Sequence, residues 1–314
     1  VECGAWEYNL TSLAREFNAT HWQLSGTRNL TSTASGAMNV FSGAYLPLYA
    51  AKRTLRPRLG YLRHDGEKFG FWTRGYTGRF ESGEGRYVKA YDMKYRGLQL
   101  GVDHFWPIES PGGNDWGKLY AGAALGYGRG DLDYGRTGEG EVDMKTAALY
   151  AAWMGPSGFY ADLTGRGAWM ENNFQVLDSR DQKVTGRPIN TRGLGASLEV
   201  GRQIGLWEQN GNRVYLEPNV QYSFDHQNGG SFTASNGLEV EVAGFNSNRL
   251  RAGANLGYTY HGPENRSDVY TKASYVKDYD GDVDIKANDT RRNETCGADR
   301  GQYGMGISGN CRCR

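Results

Sequence analysis

The chain lacks every long apolar run. No stretch of its 314 residues approaches the ~18 consecutive apolar residues that a membrane-crossing helix needs, and mean hydropathy is −0.68. A helical membrane protein is therefore excluded. A barrel is not, because its strands alternate lipid-facing and lumen-facing residues and look soluble on average. Charge of one sign is lacking too: 36 basic against 35 acidic residues leave a net +1, which gives no pull toward nucleic acid. Cysteine is scarce. Cys3, Cys296, Cys311 and Cys313 lie near the two ends, and Cys311-x-Cys313 has neither a second ligand pair nor a nearby His, so a zinc site is not expected. His21, His64, His104, His226 and His261 form no ligand pair. There is no Gly-x-Ser-x-Gly elbow and no phosphate loop. No cofactor is expected. The first thirty residues show no signal peptide, which reads as a fragment of something longer.

Glycine and aromatics are abundant: 46 Gly, 21 Tyr and 8 Trp. The chain divides into three zones. Residues 1–31 are polar with alternating aromatics (Trp6, Tyr8, Leu10; Trp22, Leu24), the chemistry of a short hairpin. Residues 32–64 begin with small residues, then repeat Leu48, Ala51, Lys52, Leu55 and Leu59 at helical spacing, with Pro57 ending the regular part. Residues 65–314 run with period 2.

In that last zone Leu216, Pro218, Val220, Tyr222 and Phe224 oppose Tyr215, Glu217, Asn219, Gln221 and Ser223. Residues 159–169, 194–201 and 249–260 repeat the pattern. Less regular runs lie near 69–80, 93–105, 117–130, 144–154, 268–278 and 302–309, giving ten candidate strands in an antiparallel meander. The apolar rows begin or end in aromatics such as Trp106, Tyr127, Trp153, Trp169, Trp207, Tyr258, Tyr260 and Tyr275, as in the interfacial girdles of membrane barrels. The opposite rows carry Arg74, Asp103, Asp162, Arg166, Glu199, Glu217, Arg251 and Lys272, which predicts a wet lumen. They are also rich in glycine (Gly122, Gly126, Gly128, Gly253, Gly257), which suggests something bulky against the inner wall, such as a helix.

The order of zones resembles an autotransporter. Trp6-Glu-Tyr-Asn-Leu with Trp22-Gln-Leu is similar to the last rung of a passenger, and Tyr45 to Arg63 to the linker helix. Phe71-Trp-Thr-Arg-Gly-Tyr76, Gly97 to Asp103, Tyr215-Leu-Glu-Pro-Asn-Val-Gln221 and Tyr270 to Lys277 resemble strands of the translocator barrel. The resemblance spans about Gly4 to Asn310. It implies an all-β, antiparallel up-and-down transmembrane barrel of twelve strands with a helix in the lumen, type V secretion and location in the cell outer membrane. It implies as partners the chain's own passenger segment, outer-membrane lipid and the barrel-assembly machinery. The protein is expected to be a monomer and not an enzyme. About ten strands are legible, so a truncated C-terminus is expected. The linker would carry Asn39, Lys52 and Arg53 through the pore. Asn39 is a candidate for self-cleavage assisted by Asp103, Glu199 and Glu217, although the zone has no Asn-Asn pair. Two other readings are a barrel enzyme of the surface-protease type and a soluble β-sandwich. Asp103 and His104 are adjacent, so a strand points them to opposite faces, which speaks against a protease pair.

Overall fold

The computed structural model describes residues 2–3, 6–16, 19–36, 39, 69–82, 90–109, 115–178, 180–186, 188–261, 265–279, 282–287, 290–295 and 299–311. Lys52, Arg53 and the body of the expected linker helix lie outside the described residues.

The first zone is a three-stranded antiparallel sheet of β1 (Glu2–Cys3), β2 (Trp6–Glu16) and β3 (Ala19–Leu30). Thr31 then turns the chain into a helical turn over 32–36. Its hydroxyl accepts from the Ala34 N–H (3.3 Å) and its carbonyl from the Ser35 N–H (2.9 Å), which satisfies donors a helix start leaves open.

The third zone supplies β4 (Phe69–Ser82), β5 (Tyr91–Glu109), β6 (Asp115–Asp133), β7 (Gly138–Met154), β8 (Phe159–Leu177), the short β9 (Lys183–Thr185), β10 (Ile189–Arg202), β11 (Ile204–Gln209) and β12 (Asn212–Gln227). It continues with β13 (Gly230–Thr233), β14 (Glu239–Val242), β15 (Phe245–His261), β16 (Asn265–Asp278), β17 (Asp282–Ala287), β18 (Thr290–Thr295) and β19 (Arg300–Cys311). One antiparallel sheet runs β4-β5-β6-β7-β8-β10-β12-β15-β16-β19, each strand beside its predecessor, with β9 on β8 and β11 on β12. All ten expected strands are there, in a single curled sheet and not a sandwich. No pairing of β4 with β19 occurs among the described residues. The strands overrun the expected bounds, reaching 19 residues in β5, β6 and β8. β13, β14, β17 and β18 form a separate four-stranded sheet over the long connections.

The connections differ by end. Turns such as 155–158 and 210–211 join strands at one end; 178–188 and 228–244 join them at the other. In membrane barrels the short turns are periplasmic and the longer loops extracellular, which orients the sheet.

Register fixes the two faces. Along β8, Tyr160, Asp162, Thr164 and Arg166 are buried while Phe159, Leu163 and Trp169 are exposed. The four alternating runs keep the faces that period 2 assigns. Phe159 and Trp169 are ten residues apart, about 33 Å along the strand and, at a tilt of about 40°, about 25 Å along a membrane normal. That is the height of a barrel's apolar band. All eight of the expected girdle aromatics are exposed.

Pro218 explains a break. The β10–β12 ladder stops at Gly201↔Asn219 and resumes as β11–β12 at Ile204↔Leu216. Proline has no N–H to give a central ladder. At the break the Gln203 N–H turns to the Gly158 carbonyl (2.8 Å).

The inner-face glycines serve neighbouring rings. Gly97 lies opposite Tyr76, Gly101 opposite Trp72, Gly122 opposite Tyr150, Gly201 opposite Tyr160 and Gly257 opposite Tyr215. In each pair a Cβ on the glycine would collide with the ring. Among the described residues the bulk that these glycines accommodate is therefore aromatic side chains of the next strand, which lie flat over them and restore the packing surface that glycine lacks.

Candidate functional site

The inner face has three tiers. Toward the short turns, Trp72 Nε1 donates to the Tyr150 hydroxyl (2.9 Å), which donates to Asp103 Oδ2 (2.9 Å). The register that sets Tyr150 over Gly122 thus also satisfies the buried Asp103 carboxylate.

The middle tier is ionic. Arg251 on β15 donates to Glu199 on β10 (2.7 Å), reaching across β12, and its Nε meets Gln221 Oε1 (3.2 Å) on the strand between. Glu199 and Glu217 both lie within reach of the Tyr160 hydroxyl, at 3.0 and 3.2 Å, and Asn255 Nδ2 donates to Glu217 (2.8 Å). Arg166 on β8 pairs with Asp225 on β12, over Gly195 of β10, which lies opposite both. A Cβ at Gly195 would run into that pair, so glycine permits an ion pair between strands that are not neighbours. Arg249 pairs with Asp278. Charged hydrogen bonds of this kind are the strong ones, and here both partners are buried.

Each expected wall residue has a place on this face. Asp103, Asp162, Arg166, Glu199, Glu217 and Arg251 are buried; Arg74 and Lys272 are half-buried. Asp162 sits directly opposite Glu199, and Lys272 opposite Asn255 and Gly304, with its aliphatic stem over the glycine. The structure joins Glu199, Glu217 and Arg251 in one network and leaves Asp103 in a separate one. Tyr160, Asp225, Arg249, Asn255 and Asp278 were not singled out from sequence. Arg249 already stands in the polar row of the 249–260 run, and Asp225 is one step past Ser223 in the row of Glu217.

Toward the long loops the wall becomes apolar. Met93, Leu132, Val142, Met170, Phe174, Val176, Val184, Phe232 and Val240 form a buried cluster with Leu30 and Ala34. Gly36 packs so closely on Val176 that a Cβ there would collide with the valine, and Asn236 Nδ2 donates to Thr33 Oγ1 (3.1 Å). The chain leaving β3 is thus gripped by a collar. Fully burying a side chain such as Leu30 stabilises by about 1.5–3 kcal/mol. Burial pushes the Tyr134 phenol in the β6–β7 turn well above its usual range, with Tyr91 adding to the shift, so that side of the collar stays uncharged. Asn39 is also buried, and its Oδ1 has no hydrogen-bond partner among the described residues.

Chemistry of another kind is sparse. Asp103 points inward while His104 is exposed and packs edge-on against Trp106, centroids 4.5 Å apart, so the two do not form an acid–histidine pair. Among the described residues no three His, Cys, Asp or Glu side chains are grouped to hold a metal.

Comparison with known proteins agrees with this geometry. A family model described as the autotransporter beta-domain matches residues 71–312. The chain is 31% identical over 278 residues to the probable autotransporter YcgV of Escherichia coli strain K12, covering 88% of this chain and 28% of that protein. It is 31% identical over 285 residues to the pertactin autotransporter of Bordetella bronchiseptica, covering 90% of this chain and 30% of that one. The chain therefore spans less than a third of the length of these relatives. Among solved structures, the beta domain of the Bordetella autotransporter BrkA superposes with a TM-score of 0.59 at 22% identity, covering 77% of this chain and 98% of that one. The translocator domain of NalP from Neisseria meningitidis superposes at 0.60 and 16% identity, covering 84% of each chain.

Proposed function

The chain belongs to the autotransporter beta-domain family, whose members are outer-membrane barrels, and from that premise we propose that it anchors in the bilayer and carries its own N-terminal passenger segment to the cell surface. The observation that carries this reading is the collar. Leu30 to Gly36, the link between the N-terminal sheet and the barrel, is buried against the inner wall at the long-loop end. A chain held there has its preceding residues outside the cell.

The domain division follows: 1–31 closes the passenger, 32–64 threads the pore, and 65–314 is the translocator. The roles of the wall residues follow as well. Arg74, Asp103, Asp162, Arg166, Glu199, Glu217, Arg251 and Lys272 keep the lumen polar and hold the sheet's curl, while Asn39, Lys52 and Arg53 belong to the threaded segment. The work is transport and not catalysis. The barrel acts as a monomer and reaches the membrane through the barrel-assembly machinery.

An epitope placed ahead of Val1 tests this. In intact cells it is expected to be cleaved by added protease while a periplasmic marker is spared. An epitope that becomes accessible only after the outer membrane is permeabilised would overturn the reading.

A further inference from the structure

The outward face changes chemistry abruptly at its long-loop end. On four strands the first charged residue above the apolar band is a cation, Arg96 on β5, Arg129 on β6, Lys145 on β7 and Arg192 on β10, just above Leu98, Tyr127, Ala147 and Leu194; on β8, between β7 and β10, it is Glu171. Register makes them one patch. Tyr127 lies opposite Lys145, Lys145 opposite Trp169, and Trp169 opposite Arg192. Arg96 lies directly opposite Arg129. Like charges in that position repel and destabilise a sheet unless something between them is negative.

The patch's own carboxylates fill this role for Arg129 but not for the other three cations. Arg129 pairs with Asp131 (3.4 Å) and with Glu141, and Asp143 accepts from the Tyr127 hydroxyl. Asp143 lies opposite both Arg129 and Glu171, so these two acids continue the row of Arg96 and Arg129, one step above Lys145 and Trp169. Arg96, Lys145 and Arg192 have no ion-pair partner among the described residues. Tyr127 and Trp169 are side chains of the kind that settle at a membrane interface, so these cations stand at headgroup level on the outer leaflet. This placement rests on the outer-membrane reading above.

We propose that Arg96, Arg129, Lys145 and Arg192 form a binding site for the phosphates of a glycolipid headgroup in the outer leaflet, with Tyr127 and Trp169 packing against its sugar and upper acyl region. Arginine offers a planar fork that matches phosphate geometry, and lysine adds a point charge. A diphosphorylated headgroup could neutralise Arg96 beside the already paired Arg129 and reach Lys145 at the same time.

Native mass spectrometry of the folded barrel with added lipid A provides the test. Each cation near an anionic surface contributes about 1 kcal/mol, about fivefold in affinity. Replacing all four by Gln is expected to weaken diphosphorylated lipid A binding by at least about tenfold. Monophosphorylated lipid A should bind the native barrel several-fold more weakly, and phosphatidylglycerol and inorganic phosphate weaker still. Arg79→Gln with Lys277→Gln, which removes outward cations elsewhere, should leave binding unchanged. Should the fourfold variant not fold, judged by heat-modifiable gel mobility, Arg96→Gln with Lys145→Gln serves, and a loss of about tenfold is expected from it too. Equal retention by native and altered barrels, or equally tight phosphatidylglycerol binding, would overturn the proposal. If the epitope is exported while lipid A binding is unchanged, this site fails alone; if the epitope stays periplasmic, the membrane reading fails with it.

Discussion

The two faces of the same ten strands have opposite chemistry. Outward, Leu125, Leu149, Leu163 and Leu194 are among the most exposed apolar side chains in the molecule. Inward, Arg166, Glu199, Arg251 and Asp225 are almost wholly buried. In a water-soluble fold this arrangement would be inside out, since large exposed apolar patches and buried charges both carry a cost. It becomes coherent when the outside solvent is hydrocarbon and the inside is wet. The faces also satisfy their polar groups differently. The outer face has few to satisfy, whereas the inner face ties its charges together across two or three strands, so burial there depends on partners.

The sharpest way to break this comparison is to leave an inner charge without its partner. Arg166→Met takes the arginine away from the buried Asp225 carboxylate. We expect a loss of about 3–5 kcal/mol, read from urea unfolding out of liposomes. Adding Asp225→Leu should recover most of it, because a removed pair leaves no orphan. If the single variant is as stable as the native chain, the inner pair is dispensable and the wall is wet enough to solvate an isolated carboxylate.

The next test reverses the chemistry of two adjacent residues. Val220 is exposed on the outer face and Asn219 is buried on the inner one. Val220→Arg is expected to cost about 2–4 kcal/mol near the bilayer midplane. Asn219→Arg should cost far less, since its neighbours include the Glu217 carboxylate one step along the row. Equal effects on folding into liposomes would mean that the faces are assigned wrongly.

Glycine on the inner wall gives a third, smaller test. Gly257→Ala should cost about 1–3 kcal/mol because its methyl meets the Tyr215 ring. Tyr215→Leu in the same chain should reduce that penalty, and a double-mutant cycle measures by how much. Additive losses would show that ring and glycine are independent.

Much of this was legible in residue order. Period 2 assigns the correct face to every residue of β8, β10, β12 and β15 that it covers, because one buried side forces a strict alternation. The aromatics that bound the apolar rows stand out for the same reason. What residue order hides is distance across strands. Arg166 and Asp225 are 59 positions apart and meet only because β10 puts a glycine between them. The upper parts of β7, β8 and β10 fall outside the expected runs because their outward residues turn charged or polar once they leave the apolar band. The hairpins β13–β14 and β17–β18 are only four to six residues per strand, too short to show a period. The glycine-rich inner rows suggested a bulky object in the lumen, and rings from the adjacent strand account for the pairs described here.

The smallest effect is expected where the same ion-pair chemistry is moved to the rim. Arg79 and Asp92 are 2.8 Å apart, a geometry as good as that of Glu199 and Arg251, yet their side chains are 54% and 44% exposed. Water already solvates both charges there, and each long side chain loses freedom when held in one geometry. Salt at 0.15 M screens exposed charges over about 8 Å. Arg79→Ala should therefore leave urea unfolding unchanged within error, at low and at high salt alike, and the heat-modifiable band should keep its mobility. Arg166→Met in the same assay should shift the midpoint strongly and depend little on salt, because buried pairs are poorly screened. A loss at Arg79 comparable with that at Arg166 would mean that exposure does not decide what these pairs are worth, and the contrast between rim and wall would have to rest on something else.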